Sequence, residues 1–171
     1  RKRLMVRDQD GANGRALTAG ELAVVAPRYS PAGQDIAFMT QATGQQPRVQ
    51  LIDLENGTRQ VVGNFASMSA SPRFSPDGRR LVMSVQQGGN ADIVTVDIAT
   101  KAQRPVTQGL ATDTSPPYSP DGSQIVFASD PRRSQQIYAM GPDGSHAHRL
   151  PLRDRPAPHP GRAHLADPPR R

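Results

Sequence analysis

A fixed repeat constrains this chain more than any other feature. Tyr29-Ser30-Pro31-Ala32-Gly33, Phe74-Ser75-Pro76-Asp77-Gly78 and Tyr118-Ser119-Pro120-Asp121-Gly122 set their Ser-Pro pairs 45 and 44 residues apart in a chain of 171. Each pentapeptide reads as a turn. Proline presets the first central position, Asp tolerates the bridge or left-handed region, and Gly accepts a positive φ. Each is followed by a short apolar run: Ile36-Ala37-Phe38-Met39, Leu81-Val82-Met83 and Ile125-Val126-Phe127-Ala128. Turns at constant period with apolar runs between them indicate stacked structural repeats.

A second signal keeps the same phase. Val49-Gln50-Leu51-Ile52-Asp53-Leu54, Asp92-Ile93-Val94-Thr95-Val96-Asp97-Ile98 and Gln136-Ile137-Tyr138-Ala139-Met140 are alternating or β-branched runs that end in turn residues. Arg59-Gln60-Val61-Val62 and Gln103-Arg104-Pro105-Val106-Thr107 supply a further short edge in the first two repeats. One strand therefore ends at the aromatic-Ser, a second follows the Gly, a third is the alternating run and the fourth is the edge. Four antiparallel strands per 40 to 50 residues, roughly, is the unit of a β-propeller blade. No window carries apolar residues at helical spacing without Pro or Gly intervening. The expectation is an all-β partial propeller over residues 1–144, of about three four-stranded blades. Leu4-Met5-Val6 and Arg15-Ala16-Leu17-Thr18 would be the third and outer strands of a preceding blade.

Charge and composition narrow the chemistry. The formal net charge is +6, but residues 145–171 hold six Arg against Asp154 and Asp167, so most of the excess lies in the tail. The remainder is nearly neutral with both signs interspersed, which argues against a specific nucleic-acid surface. There is no cysteine, so disulfides, zinc-thiolate sites and thiol nucleophiles are excluded. No apolar run approaches the length of a transmembrane segment, and no signal-peptide core opens the chain. With Arg1 in place of an initiator Met, the sequence reads as a stretch of a longer protein.

A Ser-His-Asp hydrolase needs a histidine base near the serine, yet no histidine precedes His146 and no Gly-x-Ser-x-Gly elbow occurs. Asp8-Gln9-Asp10-Gly11-Ala12-Asn13 has its Gly at the fourth position instead of the sixth, and no closing Glu, so it reads as a hairpin turn and not a calcium loop. No catalytic residue, cofactor or metal site is expected. Residues 145–171 are rich in Arg, Pro, His and Ala, and no fourth aromatic-Ser-Pro appears near position 163. This segment reads as a disordered tail; a natural tail and a frame-shifted end of a GC-rich gene both produce such a composition, and the gene sequence separates them.

Ala70-Ser71-Pro72-Arg73-Phe74-Ser75-Pro76-Asp77-Gly78-Arg79-Arg80-Leu81, Gly88-Gly89-Asn90-Ala91-Asp92-Ile93 and Asp113-Thr114-Ser115-Pro116-Pro117-Tyr118-Ser119-Pro120-Asp121-Gly122 resemble the TolB family. The likeness covers about residues 2–144. It implies part of a six-bladed periplasmic propeller of the Tol-Pal system: a non-enzymatic scaffold that maintains outer-membrane integrity, with roles in cell division and protein import. Ala32 stands where the family usually has Asp. A contact with TolA is not expected, because the family's N-terminal α/β domain is not in the sequence. An alternative is the substrate-gating propeller of a prolyl-oligopeptidase-like serine peptidase, since Ser-Pro-Asp-Gly is common to many propellers.

Propeller geometry places the residues just before each innermost strand at one mouth of the central channel, on loops free to vary. These are residues 24–27, 68–72 and 113–117. The resemblance implies that a Pal-like peptidoglycan-associated lipoprotein docks at this mouth. The candidate partner-binding residues are Met68, Ser69, Ser71, Asp113, Thr114 and Ser115.

Overall fold

A computed structural model describes residues 2–20, 23–131 and 134–151. All regular structure among them is strand. Strands β1 (Met5–Val6) and β2 (Arg15–Ala16) form a hairpin, the partial blade expected at the N-terminus. β3 (Ala23–Tyr29), β4 (Asp35–Gln41), β5 (Arg48–Asp53) and β6 (Arg59–Val61) pair antiparallel in chain order. So do β7 (Ser69–Phe74), β8 (Arg80–Gln87), β9 (Asn90–Asp97) and β10 (Gln103–Pro105).

The third blade contains β11 (Ile125–Ser129), β12 (Gln136–Met140) and β13 (His148–Arg149). Its innermost strand is reduced to two bridges, Thr114 with Ala128 and Tyr118 with Ile125. Pro116 and Pro117 lie between them and have no N–H to donate. The carbonyl of Pro117 still accepts from Val126 at 2.9 Å.

The blade also runs past the boundary drawn at residue 144. His148 pairs with Ala139, Arg149 with Tyr138, and the Leu150 N–H donates to the Ile137 carbonyl at 2.8 Å. These ladder bonds are made by backbone alone, so an Arg/His-rich composition did not prevent the outer strand. The rest of the expected disordered tail, residues 152–171, lies outside the described residues.

The core lies between blades, a consequence of the two-residue period of a strand. Leu81, Met83 and Val85 of β8 point one way and pack with Ala37, Val49 and Leu51 of the first blade. Val82, from the other face of β8, packs with Ile125, Phe127 and Met140 of the third. Ile36, Phe38 and Ile52 pack against Leu4 of the N-terminal region. A blade covered on both faces therefore reads as the continuous run Leu81–Val85, and all five of those residues are buried.

The repeated pentapeptide is a local hydrogen-bond device. In the second repeat the Ser75 hydroxyl accepts from the Arg80 N–H at 3.0 Å and donates to Asp77 Oδ1 at 2.5 Å. Asp77 Oδ1 accepts in turn from the Arg79 N–H at 3.0 Å. Ser119, Asp121, Ser123 and Gln124 reproduce every bond. The first repeat keeps only the Ser30 bond to the Asp35 N–H, because Ala32 has no carboxylate. Ala32→Asp should restore two bonds and raise stability by about 0.5–1 kcal/mol. The negative charges of Asp35 and Asp53 close by keep the gain at the low end. Urea unfolding of the variant against the parent measures it.

These turns also set a pH response. The Ser119 hydroxyl, then the backbone N–H and hydroxyl of Ser123, pull the Asp121 carboxyl down to about 2. A carboxyl with a depressed folded-state pKa favours folding while ionised. That stabilisation is complete above the ordinary value of 3.8 and is lost as pH falls toward about 2. Thermal melts should therefore show Asp121→Asn losing less stability than the parent between about pH 5 and pH 2.5.

Candidate functional site

Residues 24–27 and 69–72, expected on loops just before the innermost strands, lie instead within β3 and β7, because these stretches keep pairing with β4 and β8 around a bulge, and the third blade repeats the irregularity. In β3 and β4, Val25 pairs with Met39 and Arg28 with Ala37, so Ala26 and Pro27 together oppose Phe38. In β7 and β8, Ala70 pairs with Ser84 and Arg73 with Val82, so Ser71 and Pro72 together oppose Met83. The bulged residues Ala26 and Ser71 have φ of 54° and 56°, and Ser115 at the matching place has 55°. Each precedes a proline. A side-chain-bearing residue at positive φ costs about 1–3 kcal/mol and persists only when its surroundings enforce it. Bulges turn a strand away from its ladder and re-aim side chains, and here they direct Ser71 and Ser115 out of the strand pairing.

These segments are seated against the preceding blade. Ser69 and Asp113 occupy one repeat position, and their N–H groups donate to the carbonyls of Pro47 (3.1 Å) and Ala91 (2.6 Å). The Ser69 hydroxyl accepts from the Val49 N–H at 2.9 Å, and the residue has no exposed surface. It acts as a structural rivet between blades. Met68 is half-buried and its carbonyl accepts from the Gln86 N–H. Thr114 is half-buried and bridged to Ala128 in both directions, at 2.9 and 3.0 Å. Ser115 is exposed.

Asp113 is 6% exposed, and its Oδ1 meets no hydrogen-bond donor among the described residues. Asp92 Oδ1 is in the same condition. Burial first, and the charge of Asp113 second, push the Asp92 carboxyl above its ordinary value. Three residues before Asp113 in sequence, Leu110 is 93% exposed on the loop whose Gly109 carbonyl accepts from the Asn90 side chain. Neither Asp92 nor Leu110 was among the residues selected from the sequence. Asp92 opens an alternating run as an ordinary polar residue, and a single Leu in a short polar loop has no periodicity to mark it. Among the described residues no group of three His, Cys, Asp or Glu could hold a metal ion, and no helix is long and apolar enough to cross a membrane.

This blade order, with bulge and turn repeated in phase, coincides with a known sequence family. Residues 1–162 match the TolB beta propeller domain. The chain belongs to the TolB β-propeller family. The Tol-Pal system protein TolB of Gluconobacter oxydans is 50% identical over 105 residues, 61% of this chain and 23% of that protein. The crystal structure of TolB from Acinetobacter baumannii superposes with a TM-score of 0.74 at 28% identity, covering 88% of this chain and 38% of that one. The chain thus spans well under half the length of both of these TolB proteins. A puromycin-hydrolysing peptidase of Mycobacterium tuberculosis also superposes, with a TM-score of 0.69 at 19% identity over 88% of this chain and 27% of that chain. At that identity the likeness is one of fold, and the peptidase alternative gains no more from it.

Proposed function

We propose that these blades belong to a non-enzymatic TolB-type scaffold of the periplasm, and that residues 68–72 and 113–117 present its docking mouth to a Pal-like peptidoglycan-associated lipoprotein. In that role the scaffold contributes to outer-membrane integrity and, through it, to cell division and protein import. The observation that carries this reading is the repeated bulge with positive φ at Ser71 and Ser115. Strain conserved in register across blades, at a channel mouth, suits a surface that must present small hydroxyl groups at fixed positions. The exposed Leu110 and the half-buried Met68 add apolar contact beside them, and flexible Met side chains adapt to a partner. Ser69 supports the mouth from beneath, while Asp113 offers an acceptor to a cationic or N–H group of the partner. The test is lipoprotein binding by variants of this mouth against variants of the outer edge, developed in the Discussion.

A further inference from the structure

Where the inner strands run on toward the Ser-Pro turns they carry different chemistry. Arg28 and Arg73 stand two residues before the Ser-Pro serine in successive repeats, on β3 and β7. Arg28 Nη1 donates to the Pro27 carbonyl at 2.7 Å and Arg73 Nη1 to the Pro72 carbonyl at 2.9 Å. Neither guanidinium meets a carboxylate among the described residues. A guanidinium has five N–H donors, so most of this capacity is unused. Burial, and then the charge of Arg28, push the Arg73 pKa below its ordinary value. Two like charges therefore share a partly dry site without a counter-charge.

That site is a pocket of about 460 Å³ running from the two arginines past Tyr29 and Phe74 to Tyr118 and Ser119. The third repeat has Pro117 where the first two have Arg, so no third cation narrows it. Tyr29 is 56% exposed beside it. A planar guanidinium fork matches the spacing of carboxylate and phosphate oxygens, and a charge-assisted bond is roughly twice as strong as a neutral one. We propose that Arg28 and Arg73 together hold an oxyanion, a carboxylate or phosphate group, at the Ser-Pro mouth of the channel. The aromatic rings supply apolar walls for whatever carries the group. This assignment rests on the two arginines and their pocket alone, although Arg28 and Arg73 directly follow Pro27 and Pro72 of the stretches read as the docking mouth.

The probe is inorganic phosphate, titrated into the 171-residue chain at neutral pH with ionic strength held constant by chloride and followed by phosphorus NMR. Saturable binding of one phosphate per chain is expected, weakened at least about tenfold in Arg28→Gln/Arg73→Gln. Lys101→Gln/Arg104→Gln, which removes the same charge from exposed outer-edge positions, should leave it unchanged. Acetate that displaces phosphate identifies carboxylates as ligands too, and acetate without effect identifies phosphate as the preferred group. If the double variant does not retain the parent's far-ultraviolet dichroism, Arg28→Gln alone carries the test, since Arg28 is exposed and its loss leaves no cavity. Absence of saturable binding, survival of full affinity without the two arginines, or an equal loss in the outer-edge variant would each overturn the proposal.

Discussion

Met68→Glu combined with Thr114→Arg is expected to weaken capture of a Pal-like lipoprotein by at least about 2 kcal/mol, roughly thirtyfold. In the proposed docking mouth the two residues occupy corresponding stretches of neighbouring blades, so the pair would insert charge where apolar and small hydroxyl groups are presented. A charge buried against a partner without a matching group costs several times what a surface ion pair returns. Folding should suffer less than binding, because both positions are only half-buried and Met68 and Thr114 themselves bond through their backbone. Binding is measured by surface plasmon resonance, with this chain and with the same residues carried in a complete TolB ring. The control is Lys101→Glu with Arg104→Glu on the outer edge, where both side chains are exposed. Arg59 lies on the same side of its blade but is unsuitable. Its guanidinium bonds Gln50 Oε1 and lies 5.6 Å from the Phe38 ring centroid, so replacing it would disturb the core. Loss of binding in the outer-edge pair, with none in the mouth pair, would place the docking surface on the other face.

Strand positions were legible in the sequence because the signals that encode them are local. The aromatic-Ser-Pro-x-Gly turn states its own geometry, and β4, β8 and β11 begin within a few residues of its Gly. The edge strands β6 and β10 also fall inside their anticipated segments. What was not legible depends on chain segments meeting in space. His148–Arg149 joins the third blade through backbone bonds to Tyr138 and Ala139, and no hydrophobic alternation announces that pairing. The pre-proline residues Ala26, Ser71 and Ser115 gave no sign of their positive φ, since pre-proline residues ordinarily favour extended backbone. The Asp92–Asp113 pair and the Arg28–Arg73 pair each join residues from different blades, and only the stacking of the blades brings them together. Ser69 shows the converse. The repeat marked it as a candidate partner-binding residue, but its hydroxyl is buried against the Val49 N–H and belongs to the scaffold.

The same stacking makes one buried ring decisive for stability. Phe38 is fully buried in β4 and clusters with Leu4, Ile36 and Ile52 where the first blade meets the N-terminal residues. In a solenoid or propeller each repeat is held mainly by its neighbours, so a cluster between two units carries the coupling of both. Phe38→Ala should cost about 3–5 kcal/mol through lost burial and the cavity left behind. It would also remove the ring beneath Arg59, an interaction worth roughly 0.5–2 kcal/mol. Against a total stability of roughly 5–15 kcal/mol for an ordinary domain, that is enough to unfold much of the population. Phe38→Leu retains most of the volume and should cost about 1–2 kcal/mol, mainly from lost ring contacts. Equilibrium urea unfolding followed by circular dichroism separates the two. If interblade packing governs stability, Phe38→Ala lowers the midpoint far more than Phe38→Leu, and Val61→Ala, at a position 51% exposed on β6, leaves it almost unchanged. Similar losses for Phe38→Ala and Val61→Ala would mean that the blades are stabilised one by one by their own strand ladders, and that the cluster facing Leu4 contributes little.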